Sequence, residues 1–163
     1  HPPAGEGPRH YCHHPNQEIV YFSNEQGSSV TAYRLDPDNG RLSAFQTLSS
    51  LPDNFDGSNT CAQIHLDPSG QFLYVSNRGH DSIATFTVDD GTGQLTTVGQ
   101  QATEPTPRTF NIDPTGNFLF AGGQGSGKLA GYRIDRETGQ LAPLKTYDIG
   151  KTPMWVMILE FNA

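Results

Sequence analysis

The side chains best suited to chemistry are a small set of arginines, one glutamate and a few histidines at matching points of an internal repeat. Glu25, Arg78 and Gln124 occupy one equivalent position: an acid, a base and an amide. A second such position holds Arg9, Ala62 and Arg108, and the next residue is His10, Gln63 or Thr109. A third holds Cys12, His65 and Asn111. Arginine offers a planar fork that binds phosphate or carboxylate through two parallel hydrogen bonds. A glutamate held among arginines stays ionised, and can orient water or take a proton. A positive locus beside a carboxylate also suits hydrolysis of an ester-like carbonyl, where negative charge develops on oxygen. A channel lined by Arg9, Arg78 and Arg108 with Glu25 therefore suits an anionic small molecule. The competing reading makes 25, 78 and 124 a solvated loop tip that tolerates any polar residue. His13 and His14 read as structural histidines.

The repeat that aligns these positions is the strongest signal in the chain. Its three copies are HHPNQEIVYFSNEQGSSVTAYRLDPDNGRL, LDPSGQFLYVSNRGHDSIATFTVDDGTGQL and IDPTGNFLFAGGQGSGKLAGYRIDRETGQL. Landmark prolines Pro15, Pro68 and Pro114 are 53 and 46 residues apart, as are Gly40, Gly93 and Gly139. The seven extra residues of the first interval fall in SSLPDNFDGSN, a loop by composition. Each copy reads as four short strands, in the first near Tyr11–His13, Ile19–Ser23, Ser29–Leu35 and Leu42–Leu48. HPNQ, DPSG and DPTG supply the first turn, and DPDNG, DDGTG and DRETG the last hairpin. In the third strands Tyr33 and Leu35 match Phe86 and Val88, then Tyr132 and Ile134, with the period of two that a sheet face requires.

Four strands per unit of about 46 residues is the pattern of β-propeller blades. A β-sandwich has no reason to repeat one four-strand phrase at fixed register. The expected architecture is all-β: three blades over about 8–52, 61–101 and 107–147, with 153–160 starting a further blade, since Pro153 lies 46 residues after Pro107. Three blades cannot close a ring, so a missing half-ring or a second copy is expected to complete it. In a radial repeat equivalent positions share a radius, so scaffold positions repeat in type while positions carrying chemistry differ.

Composition narrows the partners. The 163 residues are 34% hydrophobic and 17% charged, with 18 Gly and 12 Pro, which describes a turn-rich chain rather than a helical one. A net charge of −7 argues against nucleic acid and anionic membrane as partners. No apolar run is long enough to span a bilayer, and the first ten residues lack signal-peptide character; the expectation is a soluble, cytoplasmic protein. Cys12 and Cys61 are expected to be free thiols. HYCHH would send alternate side chains to opposite faces of a strand, so it supplies no tetrahedral metal set. GGQGSGK lacks the phosphate-loop spacing and reads as a hairpin turn.

GPRHYCHHPN, YFSNE, QTLSSLPDNF, AQIHLDPSGQFLYVSNRGHDSI, TPRTFNIDPTGNFLFAGGQ and TPMWV, in that order, resemble the C-terminal half of the propeller lactonases. That family holds bacterial propeller 6-phosphogluconolactonases and fungal carboxymuconate cyclases; the TPMWV ending is most similar to the former. The resemblance implies a seven-bladed ring whose first half has no counterpart here. It implies a site at the channel mouth with Arg9, Glu25, Arg78 and a histidine from that other half as catalytic groups, and it makes His10, His65, Arg108 and Gln124 candidate substrate-binding residues. It also implies lactone hydrolysis on a phosphorylated or carboxylated small molecule, with no metal or organic cofactor. The alternatives are a lactone-forming cyclase acting on a muconate-type dicarboxylate, and a non-catalytic propeller used as a binding scaffold.

Overall fold

The computed structural model describes residues 4–160. Twelve strands form three four-stranded antiparallel meanders. The first blade comprises β1 (Pro8–His13), β2 (Ile19–Asn24), β3 (Ser29–Leu35) and β4 (Leu42–Ser49). The middle blade comprises β5 (Cys61–Leu66), β6 (Phe72–Asn77), β7 (Ser82–Val88) and β8 (Leu95–Ala102), and the third β9 (Pro107–Ile112), β10 (Phe118–Gly123), β11 (Lys128–Ile134) and β12 (Leu141–Asp148). The Asp-Pro turns close as the sequence suggests: Asp67 Oδ1 accepts from Phe72 N and Oδ2 from Ser69 N, and Asp113 repeats this with Phe118 and Thr115.

The core lies between blades. Tyr21, Ile19, Val30 and Ala32 of the first blade pack against Leu73, Val75, Ala84, Phe86 and Val88 of the middle one. The opposite face of the middle blade, Phe72, Tyr74 and Ile83, packs against Leu119, Ala121, Tyr132 and Ile134 of the third. Strand β6 is buried along its whole length, because blades cover both its faces. This is why FLYV reads as an unbroken apolar run instead of an alternating one. The outermost strands β4 and β12 carry mostly exposed residues.

Two buried tyrosines fasten neighbouring blades. Tyr21 Oη donates to Gly93 O and Tyr74 Oη to Gly139 O, each at 2.8 Å. The acceptor glycines have φ of 69° and 71°, and a Cβ there would lie 2.1 Å from Ile19 Cδ1 or 2.3 Å from Phe72 Cδ1. Glycine is needed for both reasons. Tyr74→Phe strands a buried carbonyl and is expected to lower stability by about 1–3 kcal/mol; denaturant unfolding checks this, with an unchanged midpoint counting against the fastening role.

The arc ends on open faces. Leu95 and Leu141 are 3% and 6% exposed where the preceding blade covers them, but Leu42 in the first blade is 38% exposed. On the same face Tyr11 stacks on Phe22, which meets Tyr33 edge-on. At the far end, residues 153–160 carry no strand pairing, although Val156 N donates to Thr109 Oγ1 at 3.0 Å.

Candidate active site

Antiparallel pairing brings distant residues to one edge. Pro8 pairs with Asn24, Cys61 with Asn77 and Pro107 with Gly123, so the start of each first strand meets the end of each second strand. The amides of Glu25, Arg78 and Gln124 then donate to Gly7 O, Thr60 O and Thr106 O at 2.7, 3.0 and 2.9 Å. One backbone device thus presents three unlike side chains. The ladders are irregular at this edge: Arg9 and Arg108 are each the extra residue of a bulge, which re-aims a side chain. Ser23 and Ser76 brace the irregularity, Ser76 Oγ accepting from Gln63 N at 3.0 Å and Ser23 Oγ from His10 N at 3.3 Å.

Arg9 and Glu25 of the first blade and Arg78 of the middle blade come together. Arg9 NH1 lies 3.1 Å from Glu25 Oε1, and Arg78 NH2 donates to that same oxygen. Arg78 NH2 also donates to Cys61 O at 3.1 Å, which anchors the guanidinium to β5. The side chains of Arg9, Arg78 and Glu25 are 20%, 13% and 26% exposed, shielded yet within reach of a small molecule. Hydrogen bonding from Arg78, with the charge of Arg9, holds the Glu25 carboxyl below its usual range despite partial desolvation. Nε of both arginines is buried without a hydrogen-bond partner among the described residues.

His10 stands in the field of this cluster. Burial lowers its pKa, and Arg9, Arg108 and Arg78 lower it further against the opposing pull of Glu25, so the imidazole is neutral near pH 7. His65 is turned toward the third blade, edge-on to Phe110, with Nε2 3.0 Å from Gln63 Nε2. Burial pushes it down to about 4, so a neutral ring accepts from the Gln63 amide. Gln124 Nε2 contacts Met154 Sδ at 3.1 Å. Arg108 makes no side-chain hydrogen bond or ion pair among the described residues. Cys12 does not look into the channel, as its polar repeat-breaking suggests; it packs against the first inter-blade core, where burial pushes its thiol up to about 12. Cys61 is buried and also free.

The residue that the repeat comparison misses is Asn59. Its Oδ1 accepts from Gly79 N and His80 N at 2.9 and 3.1 Å, and its Nδ2 donates to Ser28 Oγ and Asn77 Oδ1 at 3.0 and 3.2 Å. It therefore ties the turn after Glu25 to the turn after Arg78. Its equivalents are Glu6 and Pro105, one residue before Gly7 and Thr106, but it directly follows the seven-residue insertion, where sequence pattern alone does not fix the alignment of the copies. A cleft of about 300 Å³ between the middle and third blades opens at the other end of the sheets. Its charged residues are already engaged, Asp67 by the Ser69 turn and Arg136 by Asn117 and Thr115.

Three radially repeated antiparallel sheets with an arginine–carboxylate cluster at the loop edge define an arc of a β-propeller. The chain belongs to the seven-bladed β-propeller lactonase family, whose description matches residues 1–158. It is 46% identical to the 6-phosphogluconolactonase of Pectobacterium carotovorum over 98% of the chain and 48% of that protein. Among solved structures, a protein of Lactobacillus plantarum superposes with a TM-score of 0.91 at 32% identity, covering 96% of this chain and 46% of the other. The periplasmic gluconolactonase of Pseudomonas aeruginosa superposes at 0.86 and 33% identity, over 91% and 42%. The chain thus spans about half the length of the curated relatives it matches. No helix among the described residues is long and apolar enough to cross a membrane.

Proposed function

We propose that this chain carries most of the active site of a sugar-acid lactonase, with 6-phosphogluconolactone as substrate and 6-phosphogluconate as product. The observation that supports this best is the convergence of Arg9 and Arg78, from different blades, on one oxygen of Glu25. Two guanidiniums fixed beside one carboxylate leave donors for the oxyanion that forms as water adds to the lactone carbonyl. Glu25 orients the attacking water. Its lowered pKa makes it a poor proton sink, so the proton passes on to solvent or to a second base. Neutral His10 is available as that base, and His65 and Gln124 complete the candidate binding wall. The names of the Pectobacterium and Pseudomonas relatives point to the same reaction class. We also take residues 153–160 as the opening strand of a further blade, after units at 8–52, 61–101 and 107–147. The two free thiols fit a cytoplasmic setting.

The test is a closed ring, made by joining this chain behind the N-terminal half of the Pectobacterium relative and assayed beside the chain alone. Hydrolysis of 6-phosphogluconolactone well above its spontaneous rate, with no turnover of a muconate-type dicarboxylate, is expected. Turnover of the dicarboxylate alone would establish the cyclase reading. Failure on both, in a folded ring, would leave a binding scaffold.

A further inference from the structure

Charge at the mouth is unevenly matched. Arg9 and Arg78 share the single carboxylate of Glu25, whereas Arg108 has no acidic partner among the described residues. Arg108 is part-buried and stands at the same repeat position as Arg9, each the extra residue of a bulge at the start of its strand. Its backbone is well held: Arg108 N donates to Thr106 O at 2.7 Å, Gln124 N to the same oxygen at 2.9 Å, and Thr106 N to Asp81 Oδ1 at 2.8 Å. It enters β9 at the same loop edge at which Arg9 enters β1, which places both arginines at one mouth.

We propose that Arg108 is the anion subsite of this mouth, taking the phosphate monoester of the substrate while Arg9, Glu25 and Arg78 face the lactone ring. This assignment rests on the lactonase reading above. A dianion brought against the Arg9–Glu25–Arg78 cluster meets the carboxylate as well as the guanidiniums, and must compete with it for both forks. An uncommitted guanidinium on a braced backbone presents its full fork without breaking an existing pair. His10, next in sequence to Arg9 on the first blade, can add a hydrogen bond at this mouth. The two ends of the substrate are thereby assigned to different blades, and discrimination between phosphorylated and plain lactones falls to the third.

The experiment compares the closed ring with its Arg108→Ala and Arg108→Lys variants on 6-phosphogluconolactone and on unphosphorylated gluconolactone. The ratio of kcat/KM for the two lactones is expected to fall by about 10- to 100-fold in Arg108→Ala, the loss of one strong charged contact, and less in Arg108→Lys. Competitive inhibition by inorganic phosphate is expected to weaken in parallel. An unchanged ratio, whether both activities fall together or neither does, overturns the subsite. If the folded parent ring hydrolyses neither lactone, the lactonase reading fails instead. Calorimetric titration with inorganic phosphate then decides the subsite by itself: binding lost in Arg108→Ala supports it, and equal binding or none in the parent refutes it.

Discussion

Glu25→Gln in the closed ring is expected to lower kcat for lactone hydrolysis by about 10²–10³-fold while the protein stays folded. Glutamine keeps the shape of the side chain and an oxygen able to accept from Arg9 and Arg78. The variant therefore removes charge with little change of packing, and the loss reports what the carboxylate does to water. It also leaves two neighbouring guanidiniums without their shared counter-charge, so some stability goes as well. The sign of that loss with pH follows from the lowered pKa of Glu25. A carboxyl whose folded pKa lies below its unfolded value contributes stability that is full above the ordinary glutamate range. That contribution disappears as pH falls through the lowered folded value. The stability gap between parent and variant should accordingly be widest near pH 7 and close at acid pH. For the same reason the acid limb of kcat in the parent, measured on the unphosphorylated lactone, should lie below the ordinary value of 4.5. Normal turnover by Glu25→Gln would remove Glu25 from the chemistry, and an acid limb above the ordinary glutamate value would show that the proton passes to a histidine and not directly to solvent.

Much of the fold and part of the site are legible in the amino-acid sequence, for a specific physical reason. Blades repeat, so Pro15, Pro68 and Pro114 locate turns, and the strands between them follow from period-two patterning. The strand bounds in the first blade differ from the pattern reading by a few residues at β1, where Pro8 and Arg9 enter the ladder through a bulge that alternation cannot show. Disagreement between copies singles out Glu25 and Arg78, and the fold brings both to Arg9. The same reasoning misjudges Cys12, because polar variety also arises where a first strand turns one face to the next blade's core. It cannot distinguish Arg108 from Arg9, since pairing depends on which neighbour carries the acid. Nor can it assign the tyrosine fastenings: Tyr21 and Tyr74 look like ordinary strand aromatics, and Phe120 at the same position of the third blade lacks the hydroxyl. Asn59 is the largest omission. Its partners lie on two turns that become neighbours only when the blades stack.

That clamp yields the second large effect, from the smallest possible change. Gly79→Ala adds one carbon where a Cβ would sit 1.9 Å from Ser58 O and 2.9 Å from Asn59 Cα. Both obstacles are backbone, and no side-chain rotation relieves them. The strain is steric alone, because Gly79 is not among the residues with positive φ. Either the loop over residues 51–59 or the turn over 78–81 must move, and each movement breaks the bonds from Gly79 N and His80 N to Asn59 Oδ1. Overpacking of this kind costs about 1–3 kcal/mol. The effect on catalysis should exceed what stability alone explains. The displaced turn begins at Arg78, and a shift of about 1 Å in a catalytic group can cost on the order of 10²-fold. Gly91→Ala is the control: its Cβ would meet nothing nearer than Asp89 Oδ1 at 3.6 Å, in the hairpin at the opposite end of the blade. Denaturant unfolding and kcat, measured for both variants in the closed ring, separate the outcomes. Gly79→Ala should lose stability and, at temperatures where it remains folded, still turn over slowly, whereas Gly91→Ala should match the parent within about 0.5 kcal/mol. A folded Gly79→Ala ring with parental kcat would show that the Arg78 guanidinium holds its place through Glu25 and the Cys61 carbonyl alone, without help from Asn59.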